Sequence, residues 1–215
     1  MGRKARTDDA SARPEQVALL LIDVINDLDF EGADALLTQA LPMARRLAAL
    51  KQRASAKAIP CVYVNDNFGQ WKSDFRHTVQ HCARSRGRGL VRLLRPRESD
   101  YFVLKPKHSG FHATTLDLLL EYLGTNTVVI TGIAANICVL FTANDAYMRD
   151  YKVYVPSDCV ASNTEEETAY SLRQMKNILK ADTRESNQID FDEMLASDPS
   201  GRSTRASLKL LANKQ

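Results

Sequence analysis

The chain has 215 residues, enough for one domain, and a hydrophobic content of 44% supplies a sizeable core. Its 29 basic residues against 26 acidic ones leave a net charge of +3, too small by itself to imply a polyanionic partner. No run of about 18 apolar residues occurs and residues 1–16 lack the apolar centre of a secretory signal, so no membrane span and a cytoplasmic protein are expected.

In chain order, residues 1–16 read as a flexible segment and Val17 to Ile22 as a strand buried on both faces, because the run is continuously apolar. A helix is expected from about Pro42, with Met43, Leu47, Leu50 and Ala54 at helical spacing and the proline in the first turn. Cys61 to Val64 gives a second strand. After a long irregular stretch, Tyr101 to Leu104 gives a third, followed by a helix carrying Leu116, Leu119, Leu120 and Leu123 on one face and stopped by Gly124.

Thr127 to Thr131 reads as a fourth strand, Ile137 to Arg149 as a helix, and Lys152 to Val155 as a fifth strand. Thr164 and Glu167 form a capping box that opens a helix to about Lys176, and Ile178 to Lys180 is the candidate for a last strand. Alternating strands and helices with short connections predict an α/β fold: a three-layer α/β/α, Rossmann-like arrangement with a mostly parallel sheet of about six strands. We expect the domain to span residues 17–182, with residues 183–215 a polar tail that is flexible or packs on a neighbour.

In an open parallel sheet the ligand crevice lies at the carboxyl ends of the strands. Asp23 follows the first strand, Lys105 follows the third, and Cys138 follows the fourth at the start of a helix. An ordinary thiol is only a few per cent ionised near neutrality; a helix N-terminus and an ammonium group favour its thiolate, while a carboxylate can accept and return the proton. Each residue alone also has an ordinary reading, as a buried thiol, a loop-capping acid or a solvated lysine. The small residues from Gly132 to Asn136 allow backbone N–H groups to approach an oxyanion.

Three segments, LLLIDVINDLDF, FVLKPKHSGF and VVITGIAANICVLFTANDAYMRDYKVYVPSDCVAS, resemble the isochorismatase-like cysteine hydrolases, whose relatives include nicotinamidases and N-carbamoylsarcosine and ureidoacrylate hydrolases. The resemblance rests on an Asp in a D-x-x-N-D segment, a Lys before a Ser-small-Phe segment and a Cys after G-[IV]-A, matched in order by Asp23, Lys105 and Cys138. It implies an enzyme with these three as catalytic residues, a cis peptide between Ile133 and Ala134, and an oxyanion hole from the backbone N–H groups of Ala134 and Cys138. It further implies carbon–nitrogen bond cleavage through a thioester, with no organic cofactor, and a homo-oligomer, dimer or tetramer. The rival readings are vinyl ether hydrolysis, which relatives perform with the carboxylate and without needing the cysteine, and a non-catalytic binding protein on the same fold.

The sequence departs from the nicotinamidase pattern where a metal-binding D-x-H segment would follow the second strand: here it reads Asn65-Asp66-Asn67-Phe68, without the histidine. No bound metal is therefore expected, and Asn67, Phe68, Trp71 and Phe111 are candidates for lining the pocket of another small molecule, with loop packing as the alternative for the aromatic pair. His77 and His81, followed by Cys82, have the spacing of two metal ligands on one helical turn, but ordinary surface is the simpler reading. His108 and His112 flank Ser109-Gly110-Phe111, the segment that in the relatives lies beside the substrate; contact of one with substrate is one reading and structural packing the simpler one. Cys61 and Cys159 read as packed thiols. Six arginines between Arg84 and Arg97 without an acid raise the question of nucleic acid; the interleaved Leu90, Val91, Leu93 and Leu94 favour an amphipathic helix whose arginines face solvent, a subunit contact or an anionic substrate.

Overall fold

The computed structural model describes residues 16–69 and 74–196. Strand β1 (Gln16–Ile22) is buried on both faces, and its alternate residues feed two different cores. Val17, Leu19 and Leu21 point to one core; Ala18, Leu20 and Ile22 point to the other. The same division separates Cys61 and Tyr63 from Val62 and Val64 in β2 (Cys61–Asp66). Full burial of each such Leu or Ile is worth about 1.5–3 kcal/mol, so the central strands hold the layers together.

With β3 (Tyr101–Lys105), β4 (Thr125–Ile133), β5 (Lys152–Tyr154) and β6 (Val160–Ala161), they make a six-stranded parallel sheet of order β3-β2-β1-β4-β5, with β6 also on β4. Helix α1 (Ala33–Ala56) covers the first core, joined by α2 (Phe75–Cys82), α3 (Arg88–Leu93) and α7 (Phe191–Ala196). Helices α4 (Leu116–Tyr122), α5 (Leu140–Tyr147) and α6 (Glu165–Ile178) cover the second. This is the expected three-layer α/β/α architecture. The chain leaves β1 toward β2 and β3 on one side and returns to β4 on the other, so the topological switch falls between β1 and β4.

At that switch Gly132 has φ +111, and a Cβ there would lie 2.1 Å from the Ile22 carbonyl oxygen. Only glycine lets the end of β4 press this closely on β1.

Several local expectations are corrected. Helix α1 begins at Ala33, not near Pro42, which sits inside it. A proline inside a helix removes one hydrogen bond and costs about 3 kcal/mol. Here the buried stripe continues on both sides of it, through Leu36 and Ala40 before and Met43, Leu47 and Leu50 after, so packing offsets the defect. The stretch between β2 and β3 contains α2, capped by Asp74 through the N–H of His77 at 3.0 Å, and α3; both are too short for periodicity to reveal.

Ile178 to Lys180 is not a strand. The capping box of Thr164 and Glu167 is present, α6 continues through Ile178, and Leu179 still bonds back to Met175. The sixth strand is Val160–Ala161 instead. Residues 183–196 lie on the first core through Ile189, Phe191 and Met194. Arg53 on α1 holds this segment by hydrogen bonds to the carbonyls of Ser186 and Ile189. The expectations for residues 1–15 and 197–215 lie outside the described residues.

Candidate active site

The carboxyl ends of β1, β3 and β4 bring Asp23, Lys105 and Cys138 into one cluster. Asp23 is the first residue past β1, in a left-handed conformation (φ 51) that an aspartate tolerates better than most residues. Its N–H bonds the Val64 carbonyl at 3.0 Å, which fixes the turn to β2. The carboxylate is then held from two sides. Oδ1 accepts from the Asp66 N–H at 2.7 Å, and Oδ2 faces Lys105 Nζ at 2.9 Å.

Lys105 is the last residue of β3, two strands away from β1, and is fully buried. Its side chain spans that gap, and the ammonium reaches Asp23, Asp66 Oδ2 at 3.7 Å and Cys138 Sγ at 3.4 Å. A buried lone ammonium would be strongly unfavourable, so two carboxylates and a sulfur are what make this position tenable.

Cys138 sits in a π-helical turn (Ala135–Val139) that leads into α5. The peptide bond from Ile133 to Ala134 is cis. The turn is pinned at its start by the Asn136 N–H, which donates to Ser162 Oγ at 3.1 Å, and by the Ile137 and Val139 N–H groups, which both donate to the Ala134 carbonyl. It is pinned below by Thr142 Oγ1, which donates to the Cys138 carbonyl at 2.7 Å and accepts from the Gly110 N–H at 3.0 Å. Cys138 is half-buried, whereas Cys61, Cys82 and Cys159 are buried in the core.

Burial pushes the Cys138 thiol up to about 12, and the adjacent Asp23 carboxylate adds to the rise while Lys105 opposes it. A raised thiol is the form that hands its proton to a base as it attacks, and Asp23 is the base beside it. Cys61 and Cys82, also buried, are pushed up to about 11 and about 12, so ionisation alone does not single out Cys138. What sets it apart is its neighbours: Lys105 donates to the sulfur at 3.4 Å, and the Asp23 carboxylate acts on the thiol from beside it. Burial likewise raises Asp23 against the pull of Lys105, which makes this carboxylate a better proton acceptor than an exposed one. Burial works against the charge on Lys105, but Asp23 and Cys138 more than offset it, and its ionisation is raised.

Two residues of the site were not singled out from the sequence as functional. Asp66 ends β2 opposite Lys105 in register and shares that ammonium. Asn65, fully buried, bonds both the N–H and the C=O of Ile25 at 3.2 and 2.8 Å, so it braces the loop after Asp23. The available signal was a polar pair closing an apolar strand.

Asn67 and Phe68 line a cavity of about 310 Å³ at the strand ends, together with Asp27, His77, His81 and Leu104. It adjoins the cluster through Asn67, whose N–H donates to the Lys105 carbonyl at 3.1 Å. Trp71 lies outside the described residues. Phe111 is buried in the second core, against Tyr151 and under the Arg149 guanidinium. His81 approaches Asp27 at 3.3 Å, and no group of three or more His, Cys, Asp or Glu among the described residues has the arrangement of a metal site. His108 and His112 are exposed, the former against Phe141. Among the described residues no helix is long and apolar enough to cross a membrane.

The isochorismatase domain model matches residues 17–186. The isochorismatase family protein YaaI of Bacillus subtilis is 41% identical over 172 residues, covering 80% of this chain and 95% of that protein. A ureidoacrylate amidohydrolase, RutB, of Methylorubrum extorquens is 32% identical over 183 residues, covering 68% of this chain and 73% of its own length. Among solved structures, N-carbamoylsarcosine amidase from Thermoplasma acidophilum superposes with a TM-score of 0.66 at 26% identity, over 81% of this chain and 99% of the other.

Proposed function

Because this chain belongs to the isochorismatase family of hydrolases, we propose that it cleaves a carbon–nitrogen bond of a small amide, ureido or carbamoyl compound, with Cys138 as nucleophile. The observation that carries this reading is Lys105 Nζ standing 2.9 Å from Asp23 and 3.4 Å from Cys138 Sγ. As the sulfur attacks the carbonyl carbon, its proton passes to Asp23. The carbonyl oxygen becomes an oxyanion, held by the N–H groups of Ala134 and Cys138 at the π-helical turn. Collapse of this intermediate breaks the carbon–nitrogen bond, and Asp23 gives the proton to the departing amine or ammonia. Water, deprotonated by Asp23, then attacks the thioester; the acid leaves and the proton returns to sulfur. Throughout, Lys105 offsets whichever negative charge is present, on carboxylate or sulfur.

Two of the similar proteins, a ureidoacrylate amidohydrolase and an N-carbamoylsarcosine amidase, bear names that fit this bond class. Vinyl ether hydrolysis, which needs the carboxylate but not the sulfur, leaves the Lys105–Cys138 contact without a purpose. The cavity beside Asn67 and Phe68 is our candidate for the substrate pocket. We take residues 17–182 as the catalytic unit of a cytoplasmic dimer or tetramer; the exposed Ile137 in the π-helical turn, Phe141 and Tyr147 on α5 and Met148 at its end support a contact between copies.

An ammonia-release screen over primary amides, ureido acids and N-carbamoyl amino acids, run beside Cys138→Ser, tests the proposal. We expect release from at least one compound by the wild type and none by the variant. Equal release by both proteins would remove Cys138 from the reaction.

A further inference from the structure

We propose that the groove between α1 and α3 is a docking site for an acidic amphipathic helix of a partner protein. The groove has a volume of about 620 Å³. Its floor is apolar, from Leu37 and Leu41, one turn apart on α1, and Val91 on α3. Its rim is basic, from Arg86, Arg88, Arg92 and Arg95, all exposed. It shares no residue with the catalytic cluster or with the cavity beside it.

The charge on this rim lacks compensation. Arg86 pairs with Asp34, but among the described residues Arg88, Arg92 and Arg95 have no carboxylate within ion-pair distance. Arg88 and Arg92 stand four apart on a six-residue helix, where like charges repel and weaken the helix. An uncompensated pair in this position is relieved by an anion from outside.

The groove is also rigid. The Gly87 N–H bonds the Asp27 carbonyl at 3.2 Å, and a Cβ on Gly87 would lie 1.7 Å from the Asn26 carbonyl oxygen, so α3 is clamped at its start. Leu90 and Leu94 are buried beneath it. At its end, buried Lys51 reaches the Arg95 carbonyl at 3.4 Å while paired with Asp100 at 2.6 Å. A preformed concave site binds without the entropy cost of ordering itself.

The chemistry selects the occupant. Arginines one turn apart are about 6 Å apart along the helix axis, the spacing of Glu residues at i and i+4 on a partner helix, whose apolar stripe would then meet Leu37, Leu41 and Val91. No aromatic side chain lines the groove, so single-stranded nucleic acid finds no stacking platform. The concave floor does not fit a flat lipid surface. The chain's own residues 197–215 have four basic residues and one acid, the wrong sign to occupy it.

The test is fluorescence anisotropy of the full chain with a labelled peptide of about 18 residues, five turns, carrying a Leu stripe beside a Glu stripe. Controls are a scrambled peptide of the same composition, a single-stranded oligonucleotide and phosphatidylserine vesicles. We expect the patterned peptide to bind about ten-fold or more tighter than the scrambled one, a gap of about 1.4 kcal/mol. Binding should be lost in Arg88→Glu/Arg92→Glu, and that variant should instead take the same peptide with Lys in place of Glu. Arg88→Gln/Arg92→Gln serves if the charge reversal does not fold. Equal binding of the scrambled peptide, stronger binding of oligonucleotide or vesicles, or undiminished binding by the variants would overturn the proposal. Hydrolytic activity of the variants, measured in parallel, is expected to be unchanged, so this result and the catalytic reading stand or fall separately.

Discussion

Thr142 Oγ1 donates to the carbonyl of Cys138 at 2.7 Å while accepting from the N–H of Gly110 at 3.0 Å. A Thr bonding back four residues along a helix is common. The second bond is what matters here, because it ties the turn bearing the sulfur to the segment that follows Lys105. Gly110 itself leaves no room to shift, since a Cβ there would lie 2.8 Å from Val64.

Thr142→Val keeps the shape but leaves the buried Gly110 N–H unpaired, so it should cost about 1–3 kcal/mol in urea denaturation. If Thr142 positions the nucleophile, kcat should fall about ten-fold, a loss of about 1.4 kcal/mol of transition-state stabilisation, with KM little changed. Thr142→Ser, which keeps the hydroxyl, should restore most of it. A stability loss with unaltered kcat would make Thr142 structural only.

The elevated thiol of Cys138 predicts an unusual pH profile for alkylation by limiting iodoacetamide. With ionisation near 12, the wild-type rate should still be climbing at about pH 10, where an ordinary cysteine has levelled off. Asp23→Asn removes a negative charge that raises the thiol and keeps the ammonium that lowers it. The profile of that variant should therefore shift to lower pH even as turnover is lost. Peptide mapping by mass checks the site, and an unshifted profile would count against the Asp23–Cys138 coupling.

Lys105→Met tests the electrostatics from the other side. Removing one partner of a buried ion pair leaves an uncompensated charge, typically at a cost of about 3–5 kcal/mol. Without the ammonium, the Asp23 carboxyl, already raised by burial, rises further. A group with a raised folded-state pKa contributes its stability at low pH and loses it as pH climbs through that value. The variant's deficit against wild type should thus be smaller at about pH 5 than at about pH 8. Thermal melts at the two values decide it; a deficit independent of pH would contradict the assignment.

Gly132→Ala would place a methyl group against the Ile22 backbone, which cannot give way as a side chain can. We expect a loss of about 3 kcal/mol or more, measured by urea denaturation. A near-neutral result would mean the β1–β4 contact is looser than it stands here.

Much of this molecule was legible from its residues. β1, β2 and β4 contain continuous apolar runs because both faces of the sheet are covered there, and such runs announce themselves; β3, at the sheet edge, reads as a strand although Tyr101 and Phe102 are exposed. Residues that interact only through tertiary contact were harder to read. The start of α1 was missed because Pro42 is a strong local stop signal that distant packing overrides. Ile178 to Lys180 looks like a strand by residue type, but burial of Met175 carries α6 as far as Ile178, and Leu179 caps it. Asp66 resembled loop polarity, and only the register of β2 against β3 brings it to Lys105. That Lys105 reaches across from β3 to Asp23 has no local signature; its place at the end of a strand made it a candidate, and the family resemblance added the pairing.

The central claim is that the Cys138 sulfur becomes covalently joined to the acyl part of the substrate. Its most direct test is acid-quenched intact and peptide mass spectrometry during turnover of whichever compound the ammonia screen identifies. The account predicts a transient acyl adduct on the peptide containing Cys138, and no turnover by Cys138→Ala. An adduct on any other residue, or wild-type turnover by Cys138→Ala, would contradict it.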